Sequence, residues 1–204
     1  MARTKILQEG KSYSFRQYLE MPYEPDEILA EFGYNLTLDK LILPNAQQSF
    51  ERLPSLRQQM EDVLPFVSLS SEIARREVLV SPVLMEVVRV CHCQFRIEYP
   101  LMVNDWLKGS LDYLLRAKTS VAVVEAKRDD LSRGFTQLAI ELIALAEAED
   151  RDVAYGAVTI GEAWRFGKLD KLNRKISQDL TLYKVPDELE QVLAILVGIM
   201  QANA

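Results

Sequence analysis

The sequence predicts a mixed α/β fold, a central sheet flanked by helices, and three observations predict it. Helical apolar spacing after Ser70 gives way to three consecutive strand-like runs. A long apolar helix and further strands follow, and a last apolar helix closes the chain. The order is therefore α-β-β-β-α-β plus extra strands and a C-terminal helix. At 204 residues the chain suits one domain, large enough to build a core without disulfide or metal staples. Its 49% hydrophobic and 26% charged content excludes the disordered and membrane-embedded classes.

Each element has its own local reason. Residues 1–65 are punctuated by Pro22, Pro25, Pro44, Pro54 and Pro65, with short helices predicted in PDEILAEFGY and SLRQQMEDVL. This stretch reads as an N-terminal extension wrapping a core of residues 66–204, its aromatics (Tyr13, Phe15, Tyr18, Tyr23, Phe32, Tyr34) packing on that body. SSEIARREVLV offers Ser70 or Ser71 as N-cap and Glu72 in the first turn, where the helix dipole favours an acid. Pro82 is expected to kink or restart that helix. QFRIEYPLMVN and LKGSLDYLLRA alternate like strands, and SVAVVEAK reads as a third, more deeply buried one. Asp129, Asp130 or Ser132 can cap the next helix, whose Phe135, Leu138, Ala139, Leu142 and Ala146 mark one core face. VAYGAVTIG, EAWRFGKL and ISQDLTLYKV continue as strands, and DELEQVLAILVGIMQ closes as a helix after Pro186.

Charge and cysteine usage narrow the partners. No window holds the ~18 to 20 uninterrupted apolar residues of a spanning helix, and the start has no apolar core of a leader peptide. A cytoplasmic protein without membrane contact is expected. Cys91 and Cys93 stand too close to close a useful loop, which fits a reducing compartment. Alternation puts the two thiols on one face and His92 on the other, so buried thiols are preferred to a metal site. The net charge of -6 argues against a surface that coats nucleic acid broadly, though not against a local basic groove.

One local pattern carries chemistry. If residues 107–117 and 120–127 pair about a turn between Lys118 and Thr119, Asp112 faces Glu125 and Ser110 faces Lys127, Cβ atoms ~4.5–5.5 Å apart. Period-two alternation then puts Lys127 on the face of Glu125. AKTS lacks the Gly or Asn of a tight turn, so a loop of about four residues is expected. Two carboxylates opposite each other require a compensating cation, either Lys127 or a divalent metal.

GSLDY followed by VVEAK, with SEIARRE on the preceding helix and FTQL on the following one, resembles the PD-(D/E)XK, or restriction-endonuclease-like, nuclease superfamily over residues 70–160. Leu111 stands where the family name has proline. The resemblance implies a Mg²⁺ or Mn²⁺ dependent nuclease acting on DNA, with endo or exo cutting and homodimerisation left open. Asp112, Glu125, Glu72 and the Ala126 carbonyl would hold the metal, Lys127 would orient or activate the attacking water, and Gln137 would stand beside it. Such a lysine, partly desolvated, is expected to have a lowered pKa. Glu77 is the alternative helix acid; Glu72 is preferred for its place at the helix start.

Rival readings accompany each assignment. Asp112, Glu125 and Lys127 could form a structural ion-pair cluster, and Gln137 a polar group on a helix surface. The whole chain could be a non-catalytic descendant that binds nucleic acid or protein, or a subunit of a larger nuclease complex. For DNA contact, Arg116 lies on the Asp112 face and Arg133 near a helix start. WRFGKLDKLNRK adds Arg165 and Lys168, with Lys171, Arg174 and Lys175, interleaved by Trp164 and Phe166.

Overall fold

The computed structural model describes residues 5–118, 120–127 and 130–202. Asp129, one of the three expected caps, lies outside the described residues. The chain builds a mixed eight-stranded sheet with helices on both faces. Its N-terminal part supplies α1 (Phe15–Glu20), α2 (Pro25–Glu31), β1 (Asn35–Asp39) and α3 (Leu53–Val63). A helical rod follows, from α4 (Glu72–Arg75) through a π turn (Arg76–Val80) into α5 (Ser81–Cys91). Then come β2 (Gln94–Met102), β3 (Lys108–Arg116), β4 (Val121–Ala126), α6 (Leu131–Ala148), β5 (Val153–Thr159), β6 (Ala163–Asp170), β7 (Lys175–Asp179), β8 (Tyr183–Lys184) and α7 (Leu189–Gln201).

The strands lie in the order β1-β7-β6-β5-β4-β3-β2, with β8 also paired to β6. β4 and β5 are parallel, a pairing that needs a crossover connection, which α6 supplies. β1 and β7 are parallel too, so residues assigned to a wrapping extension contribute an edge strand of the sheet. Tyr18, Phe15 and Tyr34 of that segment are fully buried, whereas Tyr23 stays exposed.

Helix α6 departs from the one-sided pattern expected of it. Every residue from Gly134 to Ala146 is buried. The sheet covers one side, through Val123, Ala154 and Val158, and Phe15, Tyr18, Ile28 and Leu29 of α1 and α2 belong to the same apolar cluster. The opposite face of the sheet packs on α5 and α7 through Tyr113, Val124, Trp164 and Phe166. The five residues predicted for one face would serve one side of the sheet; the wrapping segment buries the rest of the helix as well.

The expected kink precedes Pro82 as a π turn, and the Ser71 hydroxyl caps the rod by accepting from Ala74 N at 3.1 Å. ISQDLTLYKV divides into β7 and β8. Alternation does not govern CHC: Cys91 ends α5 and His92 is its left-handed cap, φ 50°, so the face argument made for a strand does not apply. Burial pushes the Cys91 thiol up to about 11. Among the described residues, no helix is long and apolar enough to cross a membrane.

Candidate active site

The β3–β4 hairpin has the predicted register, Tyr113 opposite Val124 and Leu114 opposite Val123. A four-residue connection links the strands, closed by Ala117 N donating to Ser120 O at 2.9 Å. The ladder stops at Tyr113 and Val124, however, one step short of the expected Asp112 and Glu125 pair. Ser110 does not face Lys127 either. It pairs with Pro100 of β2, while Lys127 N donates to Thr159 O of β5 at 2.7 Å. The strands therefore part, each drawn to its outer neighbour. The Asp112 carboxylate spans the gap, its Oδ2 accepting from Ala126 N at 2.9 Å. In a ladder a residue's N–H and C=O leave the same edge of its strand, so the Ala126 carbonyl belongs to that opening as well.

A cavity of about 750 Å³ occupies the opening, lined by Asp112, Glu125, Lys127, Gln137 and Glu72. Phe15, Arg16 and Leu19 of α1 make one wall, and Ile73 and Arg76 of the rod make another. Two glycines shape it. A Cβ on Gly109, φ 153°, would meet the Phe15 ring at 2.6 Å, so its absence lets α1 close over β3. A Cβ on Gly134 would meet Lys127 Cγ at 2.8 Å and Val158 Cγ2 at 2.7 Å, so its absence lets the lysine pass under the start of α6.

The polar groups form one connected set. Lys127 Nζ donates to Glu125 Oε1 at 2.5 Å and to Gln137 Oε1 at 2.9 Å. Gln137 Nε2 donates to Glu125 Oε1 at 2.7 Å and to Glu141 Oε1 at 2.8 Å. Arg76 Nη1 reaches Glu98 at 2.6 Å and Asp112 Oδ1 at 3.7 Å, while its Nε donates to the Tyr113 hydroxyl. Gln137 is thus a buried member of the set and not a helix-surface polar group.

Burial and crowding set the protonation. Burial, then the charge of Asp112, push Glu125 up to about 8 against the pull of Lys127. Burial and Glu125 hold Glu141 well above the carboxylate range. Asp112 is raised by burial, partly offset by the Ala126 N–H, Arg76 and Lys127. Burial opposes the charge on Lys127, but Glu125 and Asp112 outweigh it and lift its pKa above the ordinary lysine value. The expected fall of the lysine pKa is thus reversed in the metal-free protein, because the acids around it outnumber the cations. Burial, with the charge of Asp112, leaves Glu125 mostly protonated at neutral pH.

These donors bear on an ion in two ways. Glu125 Oε2 is buried without a hydrogen-bond partner, a hard oxygen that a divalent cation would satisfy. Among the described residues, however, no group of three or more His, Cys, Asp and Glu side chains is placed to hold a metal ion. By donor type, two carboxylates and a carbonyl suit a hard cation such as Mg²⁺ or Mn²⁺, which keeps water in its remaining positions. Glu72 lines the same cavity, whereas Glu77 is exposed and does not line it.

The other predicted contacts are dispersed. Arg116 lies four residues along β3 from Asp112, bonded to Glu149 and set over the Tyr99 ring, so it does not line the cavity. Arg133 is exposed on the first turn of α6, beside the helix cap Asp130, which does line the cavity. Arg165 is half-buried on β6 and Lys168 sits over the Tyr155 ring. Lys171 pairs with Asp150, Lys175 with Asp39, and Arg174 covers Tyr34. Trp164 and Phe166 are wholly enclosed in the core and offer no stacking surface.

Sequence reasoning missed Arg76 and Glu141. Arg76 gave no signal, since it is one of two adjacent arginines and only the rod's phase selects it; Arg75 instead binds Ile160 O and Glu162. Glu141 did give one, as an acid inside the apolar run AIELIALA, one helical turn beyond Gln137. Comparison with family models, curated proteins and solved structures finds no match to this chain.

Proposed function

We propose that the chain is a metal-dependent phosphodiesterase that cleaves DNA, on a restriction-endonuclease-like core of the PD-(D/E)XK kind. The observation that carries this reading is the convergence of Asp112, Glu125, Lys127 and Gln137 in one cavity where β3 and β4 part. Asp112 and Glu125, with the Ala126 carbonyl and Glu72 beside them, would hold Mg²⁺ or Mn²⁺. When bound, the ion neutralises charge on the phosphoryl group and makes water acidic enough to attack at neutral pH. Lys127, held by Glu125 and Gln137, orients that water and offers positive charge to the phosphate. Arg76, already near Asp112, and exposed Arg16 at the cavity wall are the cations placed to meet a phosphate backbone.

The rival is a non-catalytic descendant that binds nucleic acid or protein. What favours it is the Arg76 and Lys127 charge, which satisfies much of the acid without an ion. Plasmid and single-stranded DNA incubated with Mg²⁺ or Mn²⁺, beside Asp112→Ala and Lys127→Ala, separates the two. Cleavage by the wild type that both substitutions abolish supports the enzyme; absent cleavage, or cleavage undiminished in both, supports the rival.

A further inference from the structure

We propose that Glu141 is a positioning residue: it fixes the orientation of the Gln137 amide, and through it the place of the Lys127 ammonium. This rests on the reading of Asp112, Glu125 and Lys127 as the cleavage site.

Glu141 has no exposed surface and lies one helical turn beyond Gln137 on α6, inside an otherwise apolar stretch. A carboxyl enclosed in this way opposes folding unless its contacts repay the lost hydration. Its hydrogen-bond donor is Gln137 Nε2, at 2.8 Å. The same nitrogen donates its other hydrogen to Glu125 Oε1 at 2.7 Å, so both amide hydrogens end on carboxyl oxygens. That leaves Oε1 of Gln137 to face Lys127 Nζ, which donates to it at 2.9 Å. Turning the amide over would set its NH₂ against the Lys127 ammonium, two groups that can only donate, and the bond from Lys127 would be lost. Glu141 does not itself line the cavity and makes no hydrogen bond to Lys127, so its bonded route to the lysine runs through Gln137. Without it one amide hydrogen has no acceptor in an enclosed place, and the side chain that holds Lys127 from the helix side is freed.

The test reads the lysine directly, by NMR of the ¹⁵N-labelled Lys127 ammonium in the chelator-treated chain, its signal assigned by loss in Lys127→Met. In Glu141→Leu its protons exchange with water at least tenfold faster than in the wild type. In Glu141→Gln, which keeps an acceptor for Gln137, exchange stays within twofold. Gln137→Leu, which leaves Glu141 in place, reproduces the Glu141→Leu rate, and the double variant is no faster than either. Glu141→Leu removes an enclosed acid and is expected to fold; Gln137→Leu decides the question independently. Exchange unchanged in Glu141→Leu, or in Gln137→Leu, overturns the proposal. In the cleavage assay Glu141→Leu lowers kcat with KM held. A wild type that cleaves nothing overturns the enzyme reading, while the ammonium exchange still judges Glu141.

Discussion

Raising the pH from 5 to 8 without divalent ions should destabilise the protein. Glu125 titrates near 8 when folded and in the ordinary carboxylate range, ~4.3, when unfolded. The folded state therefore binds more protons between these values, and stability must fall as pH rises through that window. The contribution is fully present below about pH 4 and gone above pH 8. At about 1.4 kcal/mol per tenfold change in proton affinity, Glu125 alone accounts for a loss on the order of 4 kcal/mol. That is a large share of the ~5–15 kcal/mol of a typical domain. Glu141 and Asp112, both raised, act with the same sign. Asp39, Asp150 and Asp170 are lowered, so their effect falls in more acid solution, outside the window. Urea unfolding at pH 5, 6.5 and 8 in chelator measures this, with Glu125→Gln expected to flatten the dependence. Mn²⁺ added at pH 8 should restore stability, by ~2.7 kcal/mol at a hundred times its Kd. A stability that is flat or rises from pH 5 to 8, or Mn²⁺ that protects Glu125→Gln as well as the wild type, would refute the account.

Three further perturbations follow from the geometry. Gly134→Ala forces a Cβ against Lys127 and Val158; it should cost ~1–3 kcal/mol in unfolding and lower cleavage while DNA affinity holds. Asp112→Ala strands the Ala126 N–H that its carboxylate accepts from, a loss of ~1–3 kcal/mol that Asp112→Asn, which keeps an acceptor, should largely avoid; both should abolish Mn²⁺ protection in thermal melts. Arg16→Ala with Arg133→Ala, at the cavity wall and beside its lining residue Asp130, should weaken DNA binding and reduce its salt dependence by about one charge for each arginine removed, whereas Lys171→Ala with Lys175→Ala, which do not line the cavity, should leave filter-binding isotherms unchanged.

How much of this was legible can be judged from particular residues. Asp112 and Lys127 were placed on the Glu125 side of the sheet by alternation, a rule set by backbone geometry alone. Glu72 and Gln137 reach the cavity, but from helices, by way of the resemblance. Arg116 shows the limit: parity gave its face correctly, yet its charge is taken by Glu149, a partner 33 residues away that parity cannot see. CHC failed for a different reason, because a helix C-terminus replaced the strand for which alternation holds.

Patterns repeated every two or three to four residues are local, and the chain by itself determined what depends on them: the α-β-β-β-α-β order, the hairpin register and the short stretches in which the caps fall, from which the structure selects Ser71 and Asp130. The tertiary structure alone decided where the hairpin opens, since β2 and β5 compete for the edges of β3 and β4. It also decided that Arg76 reaches Asp112, that the N-terminal segment closes over α6, and that the Lys127 pKa rises where a fall was expected. Each of these depends on how many charges and apolar groups meet from distant parts of the chain, and that is a property of the packed whole.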